Sequence, residues 1–234
     1  METKTFMAIG GHVGDMELTV GGVLSTLSLS GHRIVTVALT AGEKGNPPHL
    51  TTDEYRKQKI DEAAAFATML GGISEVLPYD DGLLPVDDTV KFQVADLIRK
   101  YKPVRIFTHW QNSFHKDHKA CNQIVKDAQF YAALPGFQRE LPPHYAGGPY
   151  YAENWEDATD FQPYALYKIP REGFELWQKA IQTQWFAINS KDFKYYEYYC
   201  SLKAARGKLA RSDYAEAFDL DPHHKTIVID TQKL

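Results

Sequence analysis

The sequence predicts an α/β domain with a mostly parallel sheet that carries helices on both faces. Short apolar runs rich in β-branched residues alternate with segments of helical periodicity through the first half of the chain. Glycines and capping residues separate the two kinds of segment. The length of 234 residues, the 44% share of apolar residues and the net charge of −4 are ordinary for a globular domain.

Four strand–helix units are predicted in the first half. Gly31 ends the first helix as a C-cap, and a capping box at residues 51–54 begins the second. The expected strands cover 5–9, 34–39, 75–77 and 104–108, and the expected helices cover 17–30, 52–70, 88–101 and 117–133. This alternation is typical of right-handed crossovers in a parallel sheet.

The second half has a weaker pattern, because residues 134–163 are rich in Pro, Gly and aromatic side chains. Strands are expected at 164–169 and 227–230, and helices at 172–184 and 192–211. We therefore predict one domain over residues 1–234. A Rossmann-like core (1–133) is completed by an aromatic-rich C-terminal lobe (134–234).

The common winding of such a fold places the first four strands in the order 3-2-1-4. Ligands then bind beyond the carboxyl ends of the strands, at the point where this order reverses. Strands one and four are neighbours in this arrangement. The loops at 10–15 and 109–117 should therefore face one another.

Composition excludes several classes of protein. No apolar window approaches the roughly 18 residues of a membrane helix, and the N-terminus lacks the pattern of a signal peptide. A pI near 6.1 disfavours a nucleic-acid-binding protein. Two cysteines, Cys121 and Cys200, do not form a disulfide framework. We expect a cytoplasmic protein with no membrane span and no nucleic-acid partner.

The two facing loops carry side chains that suit a metal ion. His12 and Asp15 follow the first strand, and three of the nine histidines fall between 109 and 118. Two histidines and a carboxylate, with an open fourth position, form a recognised catalytic zinc set. The alternative is that His12 and Asp15 only cap local structure. A dinucleotide site is disfavoured, because the loop reads Gly-Gly-x-x-Gly and not Gly-x-Gly-x-x-Gly.

Four motifs in order along the chain resemble those of the LmbE/PIG-L family of zinc-dependent N-acetyl-sugar deacetylases. The family carries His-Pro-Asp-Asp-x-Glu after its first strand, Thr-x-Gly-x-x-Gly after its second, His-x-Asp-His after its fourth and Tyr-Ala-Glu-x-Phe near its C-terminus. The matching segments here are residues 12–17, 40–45, 115–118 and 214–218. The helix at 56–70 resembles the Arg-containing helix of the family.

The resemblance implies roles for individual residues. The implied metal ligands are His12, Asp15 and His118, with zinc or another divalent metal as cofactor. The implied catalytic residues are His115, which would stabilise the oxyanion or protonate the leaving amine, and Asp117, which would orient His115 through a hydrogen bond. The expected substrate contacts are Arg56, by the resemblance, and Trp110 and Asn112 in the histidine-rich loop.

The sequence departs from the family pattern at Gly14. The family has an aspartate there that is taken to be the general base, and glycine cannot accept a proton. General base catalysis contributes typically about 10²–10⁴-fold, so another group would have to replace it. Glu17, Glu43, Asp117 or a histidine are the candidates in the sequence.

The leading functional hypothesis is a metal-dependent deacetylase that hydrolyses the amide of an N-acetylated sugar or glycoconjugate. The alternative is a family member that binds metal and sugar without turnover, because it has lost the base at Gly14. A third hypothesis is an interaction subunit with a vestigial site. We expect a homo-oligomer in each case.

Aromatic residues are concentrated in one segment. Residues 145–199 contain 16 of the chain's 30 Phe, Trp and Tyr side chains. Such residues are enriched in subunit interfaces, in sugar-binding walls and in cores. All three uses stay open at the level of sequence.

Overall fold

A seven-stranded sheet forms the centre of the molecule, in a computed structural model that describes residues 2–157 and 159–225. In chain order its strands are β1 (Thr5–His12), β2 (Arg33–Thr40), β3 (Ile73–Tyr79), β4 (Arg105–Thr108), β5 (Gly147–Ala152), β6 (Ala165–Ile169) and β7 (Tyr214–Leu220). The spatial order is β3-β2-β1-β4-β5-β7-β6. β1 to β5 run parallel, and β7 pairs antiparallel with both β5 and β6. The predicted fold class and the 3-2-1-4 order are confirmed.

The helices cover both faces of this sheet. They are α1 (Asp15–Thr19), α2 (Gly21–Leu29), α3 (Thr52–Met69), α4 (Asp88–Tyr101), α5 (Lys116–Ala133), α6 (Arg171–Ala180), α7 (Trp185–Asn189) and α8 (Tyr195–Leu209). Three short 3₁₀ helices lie at Glu43–Gly45, Ile181–Thr183 and Pro222–Lys225. The predicted capping box is present at the start of α3, where the Thr51 side chain accepts from the Glu54 amide.

The first predicted helix is two helices. The chain leaves helical geometry at Val20, whose φ is −120°. The helix expected at 172–184 ends earlier, because its last turn is the 3₁₀ segment Ile181–Thr183. The chain then forms α7, a short helix that no periodicity predicted.

Two strands were missed in the second half. β5 begins with Gly147-Gly148-Pro149, which reads as a turn in sequence. β7 carries a carboxylate in its interior, but Glu216 lies 3.0 Å from Lys203 Nζ and accepts hydrogen bonds from the backbone amides of Gly22 and Val23. These partners compensate for the burial of the charge. The strand expected at 227–230 lies outside the described residues.

Alternate residues of the central strands supply two separate cores. Met7 and Ile9 of β1 pack with α4 and α5 on one face. Ala8 packs on the other face with α2, α6 and α8, where Phe107, Trp177 and Phe218 are fully buried. Since β5, β6 and β7 extend the same sheet, residues of both halves of the chain share the second core.

Every helix in the described residues is too short or too polar to cross a membrane.

Candidate metal centre and cavity

The loops after β1 and β4 meet at the carboxyl edge of the sheet. His12 is the last residue of β1, Asp15 is the first residue of α1, and His118 lies in the first turn of α5. β1 and β4 are hydrogen-bonded neighbours, so the two loops are brought side by side. The three side chains predicted as metal ligands are therefore together, although His12 and His118 are 106 positions apart in the chain.

Three polar atoms of these side chains form an equilateral triangle. His12 Nδ1 lies 3.2 Å from Asp15 Oδ2 and 3.2 Å from His118 Nε2. His118 Nε2 lies 3.2 Å from the same Asp15 oxygen. Tetrahedral zinc with bonds of about 2.0–2.1 Å has ligand atoms about 3.3–3.4 Å apart. The triangle is thus one face of a tetrahedron of the size that zinc requires.

The outer nitrogen of each histidine ligand faces a carboxylate. His118 Nδ1 lies 2.8 Å from Glu156 Oε1. His12 Nε2 lies 3.0 Å from Asp81 Oδ1 and 3.4 Å from Asp117 Oδ2. Such pairs place the ring proton on the outer nitrogen and leave the inner nitrogen free to bind a metal. This donor set fits a divalent cation.

The charges within the cluster reinforce this arrangement. Burial by itself would lower the pKa of His118, but the carboxylates of Asp15 and Glu156 together outweigh it and raise that pKa to about 9. His12 follows the same pattern, and its pKa is well above its ordinary value. The two imidazoles in turn outweigh burial at Asp15 and hold the pKa of its carboxyl well below its usual range. The protonated, positively charged forms of His12 and His118 are therefore favoured beside Asp15, where a metal cation would bind. Binding of a metal would release the protons of these two rings.

A third histidine packs against the cluster from inside the protein. The His109 ring stacks on His118 with centroids 3.8 Å apart, and its Nε2 accepts a hydrogen bond from the Gly11 amide at 3.0 Å. Burial, together with the neighbouring His118, lowers the pKa of His109 to about 4. His109 therefore stays neutral and supports the cluster from the sheet side.

His115 lies at the entrance to the cluster. Its ring centroid is 4.7 Å from that of His12 and 4.7 Å from that of His118. Its Nδ1 accepts from the backbone amide of Asp117 at 3.2 Å, and burial lowers its pKa. The neutral ring therefore carries its proton on Nε2 and can donate a hydrogen bond into the cavity.

The expected role of Asp117 needs a correction. Its Oδ2 accepts from the Gly82 amide at 2.6 Å and faces His12, not His115. His115 is oriented by the backbone amide of Asp117, because this histidine is the N-cap residue of α5. The carboxylate supports a metal ligand instead.

A cavity of about 830 Å³ opens above the cluster. His12, Asp15, His115 and His118 form its floor. Side chains of the second half form much of its wall: Asn154, Trp155, Glu156, Trp185, Phe186 and Tyr195. A volume of this size suits a small organic molecule.

The three expected substrate contacts are not part of this cavity lining. Arg56 donates to Glu43 Oε1 and to Asp80 Oδ1, each at 2.6 Å. Trp110 is buried and donates to the Thr159 carbonyl at 2.9 Å. Asn112 is exposed on the loop before α5. The first two are occupied by structural partners, and the third is exposed outside the cavity lining.

Lys59 lines the cavity in place of Arg56. It lies nearly one helical turn further along α3, on the buried face that also carries Tyr55 and Glu62. The sequence signal that could have identified Lys59 is a cation on the buried face of a helix, and it was missed. Glu156 carried no such signal, because it lies in a segment without a regular pattern.

The space beside Gly14 is filled by a phenyl ring. Gly14 has a φ of 104°, and a Cβ added there would lie 2.3 Å from Phe186 Cε1 and 2.5 Å from Phe186 Cζ. Phe186 thus occupies the volume that the family's aspartate side chain would need. Of the carboxylates suggested as substitutes, Glu17 accepts from the Gly14 amide at 2.9 Å and Glu43 binds Arg56. Neither of these, nor Asp117, is among the described residues that line the cavity.

Known proteins share much of this sequence. The family model PIG-L, described as GlcNAc-PI de-N-acetylase, matches residues 7–129. The chain is 24% identical over 169 residues to a 4-oxalmesaconate hydratase of Pseudomonas putida, a match that covers 67% of this chain and 66% of that protein. It is 26% identical over 205 residues to a diacetylchitobiose deacetylase of Thermococcus kodakarensis, which covers 78% of this chain and 76% of that protein.

Solved structures share the whole fold. The 4-carboxy-2-hydroxymuconate hydratase of Pseudomonas putida superposes with a TM-score of 0.85 at 20% identity, covering 97% of this chain and 99% of that one. The N,N'-diacetylchitobiose deacetylase of Pyrococcus horikoshii superposes with a TM-score of 0.82 at 21% identity, covering 100% and 90%.

Proposed function

The chain belongs to the PIG-L family, and from this premise we propose that it is a metal-dependent hydrolase that removes the acetyl group from an N-acetylated sugar or glycoconjugate. The observation that carries the proposal is the triangle of His12 Nδ1, Asp15 Oδ2 and His118 Nε2, with edges of 3.2 Å, on the floor of the cavity. Relatives named as chitobiose deacetylases support the choice of substrate.

His12, Asp15 and His118 would hold the metal, and zinc is the proposed ion because its ligand geometry fits the triangle. A divalent metal bound there would polarise the amide carbonyl and lower the pKa of a water molecule. Glu156 and Asp81 hold the two ligand histidines in orientation.

The other residues act on the substrate directly. His115 donates the proton on Nε2 to the oxygen or nitrogen that gains negative charge in the reaction. The rings of Trp185 and Tyr195 line the cavity wall, where they can pack against the faces of a sugar. Gly14 and Phe186 offer no proton acceptor, so we expect slow turnover, lower by about 10²–10⁴-fold than in a relative with the aspartate.

A second candidate is the addition of water to a small unsaturated acid. The Phe186 ring beside Gly14 favours hydration over hydrolysis, because this chain lacks the aspartate that is taken to be the general base of the family's deacetylases. A relative named 4-oxalmesaconate hydratase also supports it. Binding without turnover is the remaining alternative.

The test is acetate release by the zinc-loaded protein from N-acetylglucosamine and N,N'-diacetylchitobiose. The site variant is His118→Ala. The matched control is His32→Ala, since His32 lies just before β2, at the opposite edge of the sheet. We expect acetate release from the parent and from His32→Ala, and none from His118→Ala.

If the ultraviolet absorbance of mesaconate or muconate falls and no acetate is released, the activity of the protein is hydration and not deacetylation. Bound zinc without either reaction would favour the binding protein. A protein that binds no divalent metal would overturn the proposal. Light scattering of the purified protein tests the homo-oligomer that we propose alongside it.

A further inference from the structure

Lys59 is a buried cation at the edge of the cavity. Only 3% of its surface is exposed, although lysine is almost never fully buried without a partner. It projects from α3 into the cavity lining beside His12 and Phe186. Its Nζ lies 4.0 Å from the centre of the Phe186 ring.

The ammonium group of Lys59 has no carboxylate within ion-pair distance among the described residues. In the ranges 2–157 and 159–225, Lys59 forms no ion pair and no hydrogen bond, and its one directed contact is with the Phe186 ring. A cation over an aromatic face regains only about 0.5–2 kcal/mol, whereas taking a charge out of water costs several kcal/mol. An acceptor inside the cavity would satisfy the group.

Carboxylates are present further away. Burial lowers the pKa of Lys59 to about 8, while Glu62, Glu17, Asp15 and Asp81 act in the opposite direction. The side chain is therefore still largely protonated at neutral pH. Its charge faces the cavity and remains available to a ligand.

The same wall has lost a negative charge. The family's aspartate would add a carboxylate at position 14, and here the Phe186 ring fills that space between Gly14 and Lys59. Two further lysines, Lys44 and Lys191, lie exposed on the cavity lining. The lining also carries carboxylates, but Asp15, Asp81 and Glu156 face the histidines of the cluster. Next to position 14, the Phe186 ring carries the Lys59 cation on its face.

We propose that Lys59 binds an anionic oxygen group of the substrate, a carboxylate or a phosphate, inside the cavity above the metal ligands. This rests on the proposed function, because it names the class of small molecule that the same site accepts. The preferred substrate is then an acidic sugar derivative or an unsaturated acid, and the neutral N-acetylglucosamine and N,N'-diacetylchitobiose are accepted without this contact. Lys59 is a binding residue, and His115 keeps its role at the reacting atoms.

The test measures binding of succinate, of inorganic phosphate and of neutral succinamide to the zinc-loaded protein by calorimetry. Lys59→Met keeps the length and the apolar stem and removes the charge, and Lys59→Arg restores a charge. Lys57→Met is the matched control, because Lys57 is exposed on the same helix. Zinc content is measured in every variant, so that metal loss and charge loss are separated.

We expect the parent to bind one of the two anions at least about tenfold more tightly than succinamide. Lys59→Met should lose that preference, Lys59→Arg should keep part of it and Lys57→Met should keep all of it. The anion that binds tells a carboxylate site from a phosphate site. Equal binding of anions by the parent and by Lys59→Met would overturn the proposal.

A second experiment distinguishes a failure of the anion site from a failure of the proposed deacetylation. The ratio of anion affinities with and without Lys59 is measured again in the His118→Ala background. A ratio that persists there supports the anion site even where acetate release fails in every substrate. A ratio that disappears there would show that the anion binds the metal and not Lys59, which would also overturn the proposal.

Discussion

At the scale of single residues, the site depends on what lies behind each histidine. His12 and His118 each have one nitrogen in the 3.2 Å triangle and the other against a carboxylate. His115 has a backbone amide there instead, and it stays neutral. The same residue type is therefore suited to be a ligand in two places and, in the proposed reaction, a proton donor in the third.

Glu156→Gln should weaken metal binding without removing a ligand. The amide keeps the size of the side chain but loses the charge that faces His118 Nδ1 at 2.8 Å, and loss of such partners costs about 10–100-fold in metal affinity. Zinc competition with a chromophoric chelator measures the affinity. Glu140→Gln, an exposed glutamate, is the control and should leave it unchanged; an unchanged affinity in Glu156→Gln would remove Glu156 from the metal centre.

Asp157→Asn should change the pH dependence of stability. Both carboxylate oxygens of Asp157 are buried, and neither has a hydrogen-bond partner in the described residues. Burial raises its pKa to about 7, against the opposing effects of Ser113 and His118. The native state therefore binds more protons than the unfolded state between about pH 4 and 7, so this group's contribution to stability falls as pH rises through that window.

The variant lacks this loss, so its stability relative to the parent should increase from about pH 4 to 7, by about 1–4 kcal/mol. Urea unfolding of the metal-free proteins across that range measures the difference. Asp61→Asn, at an exposed site on α3, is the control, and its unfolding free energy should change with pH in parallel with that of the parent. A constant difference between Asp157→Asn and the parent would show that Asp157 is ionised throughout.

At the scale of elements, the site is completed by a helix from the other half of the chain. α7 places Phe186 against Gly14 in the turn between β1 and α1. The aromatic-rich segment thus contributes to the core and to the wall of the cavity, and sugar binding by that wall stays a proposal. Tyr151, Trp177 and Tyr199 are buried in the fold, while Trp155, Trp185, Phe186 and Tyr195 line the cavity. A subunit interface stays a prediction.

Gly14→Asp alone should destabilise the fold and should not restore a base. The new Cβ meets the Phe186 ring, and overpacking of this kind costs about 1–3 kcal/mol. Gly31→Asp is the control for backbone conformation, because Gly31 has a φ of 82° but nothing within 4 Å of its Cβ position. Urea unfolding should show a larger loss at position 14 than at position 31.

The double variant Gly14→Asp/Phe186→Ala separates the two contributions. The alanine removes the clashing ring. The loss of unfolding free energy in the double variant should therefore be smaller than the sum of the losses in the two single variants, by a coupling energy of about 0.5–3 kcal/mol. Additive changes would mean that α7 does not control the space at position 14. Acetate release by the double variant would show that this space, when opened, accepts a working base.

At the scale of the whole molecule, the metal centre joins distant parts of the chain. His12 and Asp15 come from the first strand and its turn, and His118 follows the fourth strand. Glu156 comes from the segment after β5. The complete site exists only when the sheet is assembled, so metal binding at the proposed centre would be thermodynamically linked to folding.

Zinc should raise the unfolding temperature of the parent in a concentration-dependent manner. A ligand that binds only the native state adds about 2.7 kcal/mol at one hundred times its dissociation constant. Differential scanning fluorimetry over a zinc series measures the shift, and a chelator should reverse it. His32→Ala should respond like the parent and His118→Ala should not; equal shifts in both variants would mean that zinc binds elsewhere.

Local pattern was sufficient for the framework and for the meeting of the three side chains predicted as metal ligands. Strand and helix periodicity predicted the first four units, and the rules of parallel sheets then placed the loops after β1 and β4 together. His12, Asp15 and His118 were recoverable because each lies within a few residues of a strand end. Their positions follow from the topology and do not depend on how the helices rotate.

Tertiary packing decided the remainder. Arg56 and Lys59 lie on the same helix, and only the rotation of α3 against its neighbours determined that the lysine enters the cavity. Glu156 and Phe186 reach the site from segments without local signals. β7 tolerates Glu216 because Lys203 and two backbone amides of α2 compensate its buried charge. Hydrophobic periodicity indicates which face of a helix or strand is buried. It does not indicate which residues that face packs against, because those contacts join residues far apart in the chain. The sequence alone therefore determined which side chains meet at the carboxyl edge of the sheet, and the folded structure decided what surrounds them.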